Sequence, residues 1–129
     1  MPLLRIDVVR GRREEELVLL LQGLHDAMVE AFGVPVRDRY QILTERAPSR
    51  LILEDTGLGF ERSDKRVLIQ VTTRPRSREM KERFYALAVK YLGERCAIRP
   101  EDIAISCVEN SDEDWSFGHG RAQFLTGEL

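Results

Sequence analysis

The stretch Leu3-Leu4-Arg5-Ile6-Asp7-Val8-Val9, closed by Gly11, decides the reading of the fold because the chain uses it twice. It is short, apolar and rich in branched residues, as a strand buried on at least one face should be. Across residues 13–32 the apolar positions Leu17, Leu20, Leu21, Leu24, Met28, Ala31 and Phe32 recur in steps of three and four. That spacing predicts a helix with one apolar stripe. Glu14, Glu15 and Glu16 favour its first turn, where the helix dipole attracts negative charge. Gly33 is placed to end it in the left-handed conformation. A second strand is expected at about residues 40–44.

The same order returns 64 residues later. Residues 66–73 read as a strand, with Val67, Leu68, Ile69 and Val71. Ser77 is a good N-cap. Met80, Phe84, Leu87, Ala88, Tyr91 and Leu92 form the next helical stripe, with Gly93 expected to end it. A last strand is expected at residues 103–108. On this offset Arg10 falls on Arg74, Val34 on Ile98, and Asp38 on Asp102. A strand, helix and strand in one sheet make a parallel pair with a right-handed crossover. The expected fold is therefore α/β (α+β): one domain over residues 1–129, with two β-α-β units, a four-stranded sheet, and both helices on one face. The other face is left open, and such a face on a small domain invites self-association. Residues 47–64 read as a long loop, and residues 112–129 as a C-terminal hairpin around Gly118 to Gly120 with its aromatic residues turned inward.

The composition excludes several classes of function. Twenty basic and 22 acidic residues leave a net charge of -2, with no bulk electrostatic drive toward nucleic acid or an anionic membrane. The apolar runs fall far short of the roughly 20 residues of a membrane helix. The N-terminus lacks a basic and then apolar leader pattern, so a cytoplasmic protein is expected. Cys96 and Cys107 form no CxxC pair, and His25 and His119 lack zinc-finger spacing, so no metal site is expected. Both thiols read as core residues in a reducing compartment. His25 reads as a surface or satisfied core histidine, and His119 as a turn residue. Glu54-Asp55 and Asp112-Glu113-Asp114 read as solvated acidic loops, without the ligand spacing of a calcium loop.

Three features could carry chemistry. A Met followed by a small residue is normally trimmed, so the expected mature terminus is the secondary amine of Pro2. An N-terminal amine has a pKa of roughly 7.7–8.0 in model peptides, so its surroundings decide whether it works as acid or base. Arg74-Pro75-Arg76 follows the third strand and leads into the Ser77 helix start. Two guanidinium groups beside a helix N-terminus suit a carboxylate or phosphate. Asp38 lies between the first helix and the second strand.

The combination of Pro2, Val34-Pro35 with Asp38-Arg39-Tyr40, Glu54-Asp55-Thr56-Gly57-Leu58-Gly59 and Arg74-Pro75-Arg76-Ser77 resembles the malonate semialdehyde decarboxylase family of the tautomerase superfamily. So does the tail, from Val108-Glu109-Asn110-Ser111-Asp112 through Trp115-Ser116-Phe117-Gly118 to Phe124-Leu125-Thr126-Gly127. The resemblance covers essentially the whole chain. It implies a homotrimer, no cofactor, a small carboxylate substrate, a catalytic amine at Pro2 and Asp38 beside it. It also implies Arg74 and Arg76 as carboxylate binders, and an apolar wall of Trp115, Phe117, Phe124 and Leu129. The superfamily's cis-3-chloroacrylic acid dehalogenases carry a helix histidine near the position of Val29, so this chain departs from them there. The implied activity is decarboxylation of malonate semialdehyde to acetaldehyde and CO2. A protonated Pro2 would polarise the carbonyl, or a Schiff base would form at the same nitrogen. The alternatives are a tautomerase or hydratase of small 2-oxo acids or enols, and a non-catalytic trimeric binding protein.

Overall fold

The computed structural model describes residues 2–129; the expected removal of Met1 falls on the one residue outside that range. The elements run β1 (Leu3–Val9), α1 (Glu14–Phe32), β2 (Tyr40–Arg46), β3 (Val67–Thr73), α2 (Arg78–Cys96), β4 (Ile103–Glu109) and a short α3 (Gln123–Thr126). Both repeats start in step: β3 lies 64 residues after β1, and α2 64 residues after α1. The sheet order is β2-β1-β3-β4. β1 and β2 are parallel, β3 and β4 are parallel, and the central pair β1 and β3 is antiparallel. The two halves are thus related by a quasi-twofold axis between β1 and β3.

Alternation within the strands separates the two faces of the sheet. Leu4, Ile6 and Val8 of β1 and Val67, Ile69 and Val71 of β3 point into one core with Leu20, Leu24 and Met28 of α1 and Phe84, Ala88 and Leu92 of α2. Phe32 and Phe84 meet across the helix pair at 5.7 Å between ring centroids. The opposite face has no helix. It carries Leu3, Arg5 and Asp7, flanked by Tyr40 and Ile42 on β2 and Val108 on β4. Tyr40, Ile42 and Val108 are 42%, 41% and 60% exposed.

Gly33 ends α1 in the left-handed region, at φ 67°. Ser77 caps α2, its side chain accepting from Met80 N. α2 does not stop at Gly93. It runs on to Cys96, and Ala97 takes the left-handed end at φ 54°. Gly93 is tolerated inside the last turn because the half-exposed end is held by Ala97 N–H donating to Gly93 O and Ile98 N–H to Leu92 O.

The C-terminal segment is not a hairpin. It forms a single 3-10 turn at Asp112–Asp114, a bend around Gly118 and Gly120, and the helical turn α3. Gln123 explains the difference. Its buried side chain accepts from Phe117 N at 2.9 Å and donates to Gly118 O at 2.8 Å. One side chain thereby satisfies the backbone groups that a strand partner would have paired. The 47–64 segment is a loop apart from a 3-10 turn at Pro48–Arg50.

Candidate active site

The site forms where β1 starts, β3 ends and α1 gives way to β2. β1 pairs with β2 from Leu3 opposite Tyr40, and with β3 from Leu3 opposite Thr72. One residue further out, the register sets Pro2 level with Arg39 on one side and Thr73 on the other. Pro2 is buried. Asp38 and Arg74 are each one residue beyond those partners, so the antiparallel centre of the sheet brings the chain's first strand and the Arg-Pro-Arg loop to one edge.

Asp38 sits at the end of a short loop pinned from both sides. Its N–H donates to Pro35 O at 2.9 Å. His25 in α1 is buried and reaches Val36 O with Nε2 at 2.7 Å. A carbonyl oxygen only accepts, so this nitrogen carries the proton. Asp38 itself is 6% exposed, and among the described residues neither of its carboxylate oxygens has a hydrogen-bond partner. Burial pushes its pKa up from the ordinary carboxylate value, against the pull of nearby cations including Arg76 and Arg74. A buried carboxylate without donors is costly, and such a group marks a place where a donor is due.

Arg76 is held by uncharged oxygens. Its Nε donates to Thr73 Oγ1 at 3.1 Å and Nη1 to Phe32 O at 3.4 Å. Its guanidinium lies 5.1 Å from the Phe32 ring centroid. Glu109 accepts from the Arg76 backbone N–H at 2.8 Å and pairs with Lys81 at 3.2 Å. Burial, then the like charge of Arg74, lower the Arg76 pKa, with Asp38 opposing them. A guanidinium remains a cation through such changes. Arg74 stacks over Phe124 at 4.0 Å from the ring centroid, and its Nη1 is 3.2 Å from Asp112 Oδ1.

These groups line a cleft of about 170 Å³ bounded by Gly33, Val34, Pro35, Asp38, Arg74, Arg76 and Phe124. An adjoining depression of about 310 Å³ is lined by Pro35, Arg37, Asp38, Tyr40, Phe117 and Leu129. Pro35 and Asp38 belong to both. The aromatic residues form one connected group. Trp115 stacks on Phe117 at 5.5 Å, Phe124 meets Phe117 edge-on at 5.3 Å, and Tyr40 lies 5.8 Å from Phe117. The indole N–H of Trp115 donates to Asn110 Oδ1 at 2.7 Å.

The residues singled out in the sequence therefore do not all meet in one place. Asp38, Arg74, Arg76 and Phe124 share the cleft. Phe117 and Leu129 line the neighbouring depression, and Trp115 joins through its stack on Phe117. Residues 47–64 line neither. Asp55 instead closes its own loop, accepting from Gly57 N and Gly59 N. Asp112 is exposed, as a solvated loop acid should be, and in addition pairs with Arg74. Tyr40, Asp112 and Gln123 were not legible as site residues. Tyr40 looks like an outward strand residue, and the roles of Asp112 and Gln123 depend on how the tail folds back. Among the described residues no cluster of three or more His, Cys, Asp or Glu could hold a metal ion, and no helix is long and apolar enough to cross a membrane.

Comparison with known proteins places this geometry in a family. Profiles described as tautomerase enzyme match residues 38–118 and residues 2–61. The chain belongs to the tautomerase family. The probable tautomerase YrdN of Bacillus subtilis (strain 168) is 49% identical to this tautomerase-family chain over 129 residues, covering all of both. A crystal structure of malonate semialdehyde decarboxylase, studied for its decarboxylase and hydratase activities, superposes with a TM-score of 0.96 at 51% identity, covering 98% of each chain. A fused 4-OT that forms a symmetric trimer shares the fold, with a TM-score of 0.80 at 21% identity over 97% of this chain and 98% of its own. The tautomerase-family chain is thus an enzyme of the tautomerase superfamily with the four-stranded, two-helix fold of these neighbours.

Proposed function

We propose that this enzyme decarboxylates a small 3-oxo acid, malonate semialdehyde, to acetaldehyde and CO2 without a cofactor, as a homotrimer in the cytoplasm. The observation that carries this reading is Asp38. Its two carboxylate oxygens are buried and, among the described residues, unpartnered beside a cleft that also holds Arg74 and Arg76. A free Pro2 amine, one register step away, is the donor that would satisfy them. Asp38 then favours the ammonium form of that amine, while the two arginines oppose it.

Loss of CO2 needs an acceptor for the electron pair of the breaking C–C bond. The aldehyde carbonyl serves when its oxygen receives a hydrogen bond from a cation. In the proposed reaction Arg74 and Arg76 hold the carboxylate and turn the scissile bond perpendicular to the carbonyl plane. The C–C bond breaks, CO2 leaves, and the pair forms the C=C bond of an enolate, whose oxygen takes the Pro2 proton to become the enol. The enol then returns to acetaldehyde by tautomerisation, and the amine regains its proton from solvent. Trp115, Phe117, Phe124 and Leu129 supply the apolar side, which leaves the carboxylate poorly hydrated and tolerates the less charged product.

A second reading is hydration or tautomerisation of small 2-oxo acids or enols. The hydratase activity attributed to the 51% identical decarboxylase favours it, as does the name of the 49% identical relative. Pro2 would then act as a base in tautomerisation, or Asp38 would activate water.

The test is turnover of malonate semialdehyde by protein whose intact mass shows Met1 removed. The expected kcat/KM falls as pH rises through the amine titration, and Pro2→Ala lowers turnover by about 10²–10⁴-fold. A kcat/KM that rises with pH through that titration would overturn the acid role and favour the second reading. Arg74→Ala and Arg76→Ala should each raise KM about 10-fold or more, as expected for a lost charge-assisted hydrogen bond.

A further inference from the structure

Arg74 and Arg76 leave the same loop but are held in different ways. Arg76 rests on neutral acceptors, Thr73 Oγ1 and Phe32 O, and these do not compete with a substrate for its charge. Arg74 rests on an anion. Asp112 Oδ1 lies 3.2 Å from Arg74 Nη1, while the Phe124 ring covers another side of the guanidinium. Asp112 is placed firmly. It opens a 3-10 turn closed by Ser111 and Asp114, whose side chains bond reciprocally to each other's backbone N–H groups. The Arg74 and Asp112 side chains are 34% and 53% exposed, so the pair is wet enough to exchange partners.

Asp112 therefore offers Arg74 the same functional group that a substrate would bring. We infer that Asp112 is an internal competitor for the anion site, so that substrate binding exchanges one carboxylate for another on Arg74. This inference rests on the proposed role of Arg74 and Arg76 as carboxylate binders. The exchange makes Asp112 a specificity-determining residue. An acid that bridges both arginines gains Arg76 as well as Arg74, which Asp112 does not. A neutral carbonyl compound has no charge to displace it, and finds Arg74 already neutralised.

Propanoate, which has the carboxylate and lacks the reactive carbonyl, reports on this site without turnover. Titration of the intact protein by NMR or calorimetry should give a Kd about two- to five-fold lower in Asp112→Asn than in the wild type, the size expected when an exposed ion pair no longer competes. Asp112→Ser, a second neutral variant, should behave alike, and circular dichroism should be unchanged in both. An unchanged or higher Kd in the two folded variants would overturn the competitor role. Arg74→Ala separates the two layers of the argument. If it weakens propanoate binding while the Asp112 variants fail to strengthen it, only the competitor role falls. If it leaves propanoate binding unchanged, the reading of Arg74 as a carboxylate binder falls as well.

Discussion

Two aspartates in equivalent places of the two repeats have opposite electrostatic fates. Asp38 is buried with no donor among the described residues, and burial raises its pKa. Asp102 is fully buried too, yet it accepts from Ser63 N and Ser63 Oγ, both at 2.6 Å, and from Arg99 Nε at 3.3 Å. Burial pushes Asp102 up, but those bonds outweigh it and hold the group below the ordinary value. The two therefore affect stability in opposite directions. With a raised pKa, Asp38 costs stability as pH climbs from about 3.9, the unfolded value, through its folded value. The melting temperature of Asp38→Asn relative to wild type should therefore rise between pH 3.5 and pH 7, and a flat difference would refute this. With a lowered pKa, Asp102 contributes stability above that unfolded value and loses it as pH falls through its folded value. Asp102→Asn should cost about 2–4 kcal/mol at pH 7, as for a broken buried network, and the deficit should narrow on acidification. Denaturant titration at the two pH values checks it. One aspartate closes a structure, while the other is left open at the proposed site.

At the level of elements, the sequence carries its information in repetition. The steps of three and four along α1 and α2, and the branched runs of β1 and β3, predict elements within a residue or two of those observed, except at the C-terminal end of α2. Gly33 and Ser77 mark helix ends correctly, because each acts through its own backbone or side chain. Gly93 misleads, because a helix terminus is set by where the next residues can bond, and Ala97 and Ile98 found carbonyls one turn further on. The tail misleads for a related reason. Its glycines at 118 and 120 are turn residues, but whether strands flank a turn depends on partners, and Gln123 took that place. The arginines were legible as candidates from their place between β3 and the Ser77 helix start, and Asp38 only through the family resemblance; their convergence on one cleft follows from the antiparallel pairing of β1 with β3. The bond from Asp112 to Arg74 spans 38 positions and left no trace in any pattern of spacing.

For the whole molecule, the helix-free face of the sheet bears on assembly. Tyr40, Ile42 and Val108 are exposed there, while the Asp7 and Arg46 side chains pair at 2.9 Å, so the face offers apolar area with its charges partly matched. Sedimentation should find three chains in the particle. Ile42→Asp, a charge placed in the middle of that area, should shift it to single chains with the circular dichroism spectrum unchanged, and a wild type that sediments as one chain would refute the trimer. The quasi-twofold axis has a further consequence. The position matching Pro2 in the second repeat is Arg66, inside a continuous backbone, with its guanidinium roped to Leu51 O at 2.7 Å and Pro48 O at 2.8 Å. An internal nitrogen is an amide whatever surrounds it, so the repeated scaffold offers the proposed reactive amine only once. An electrophile specific for the terminal amine should therefore saturate at one equivalent per polypeptide, leaving the matching position of the second repeat unlabelled.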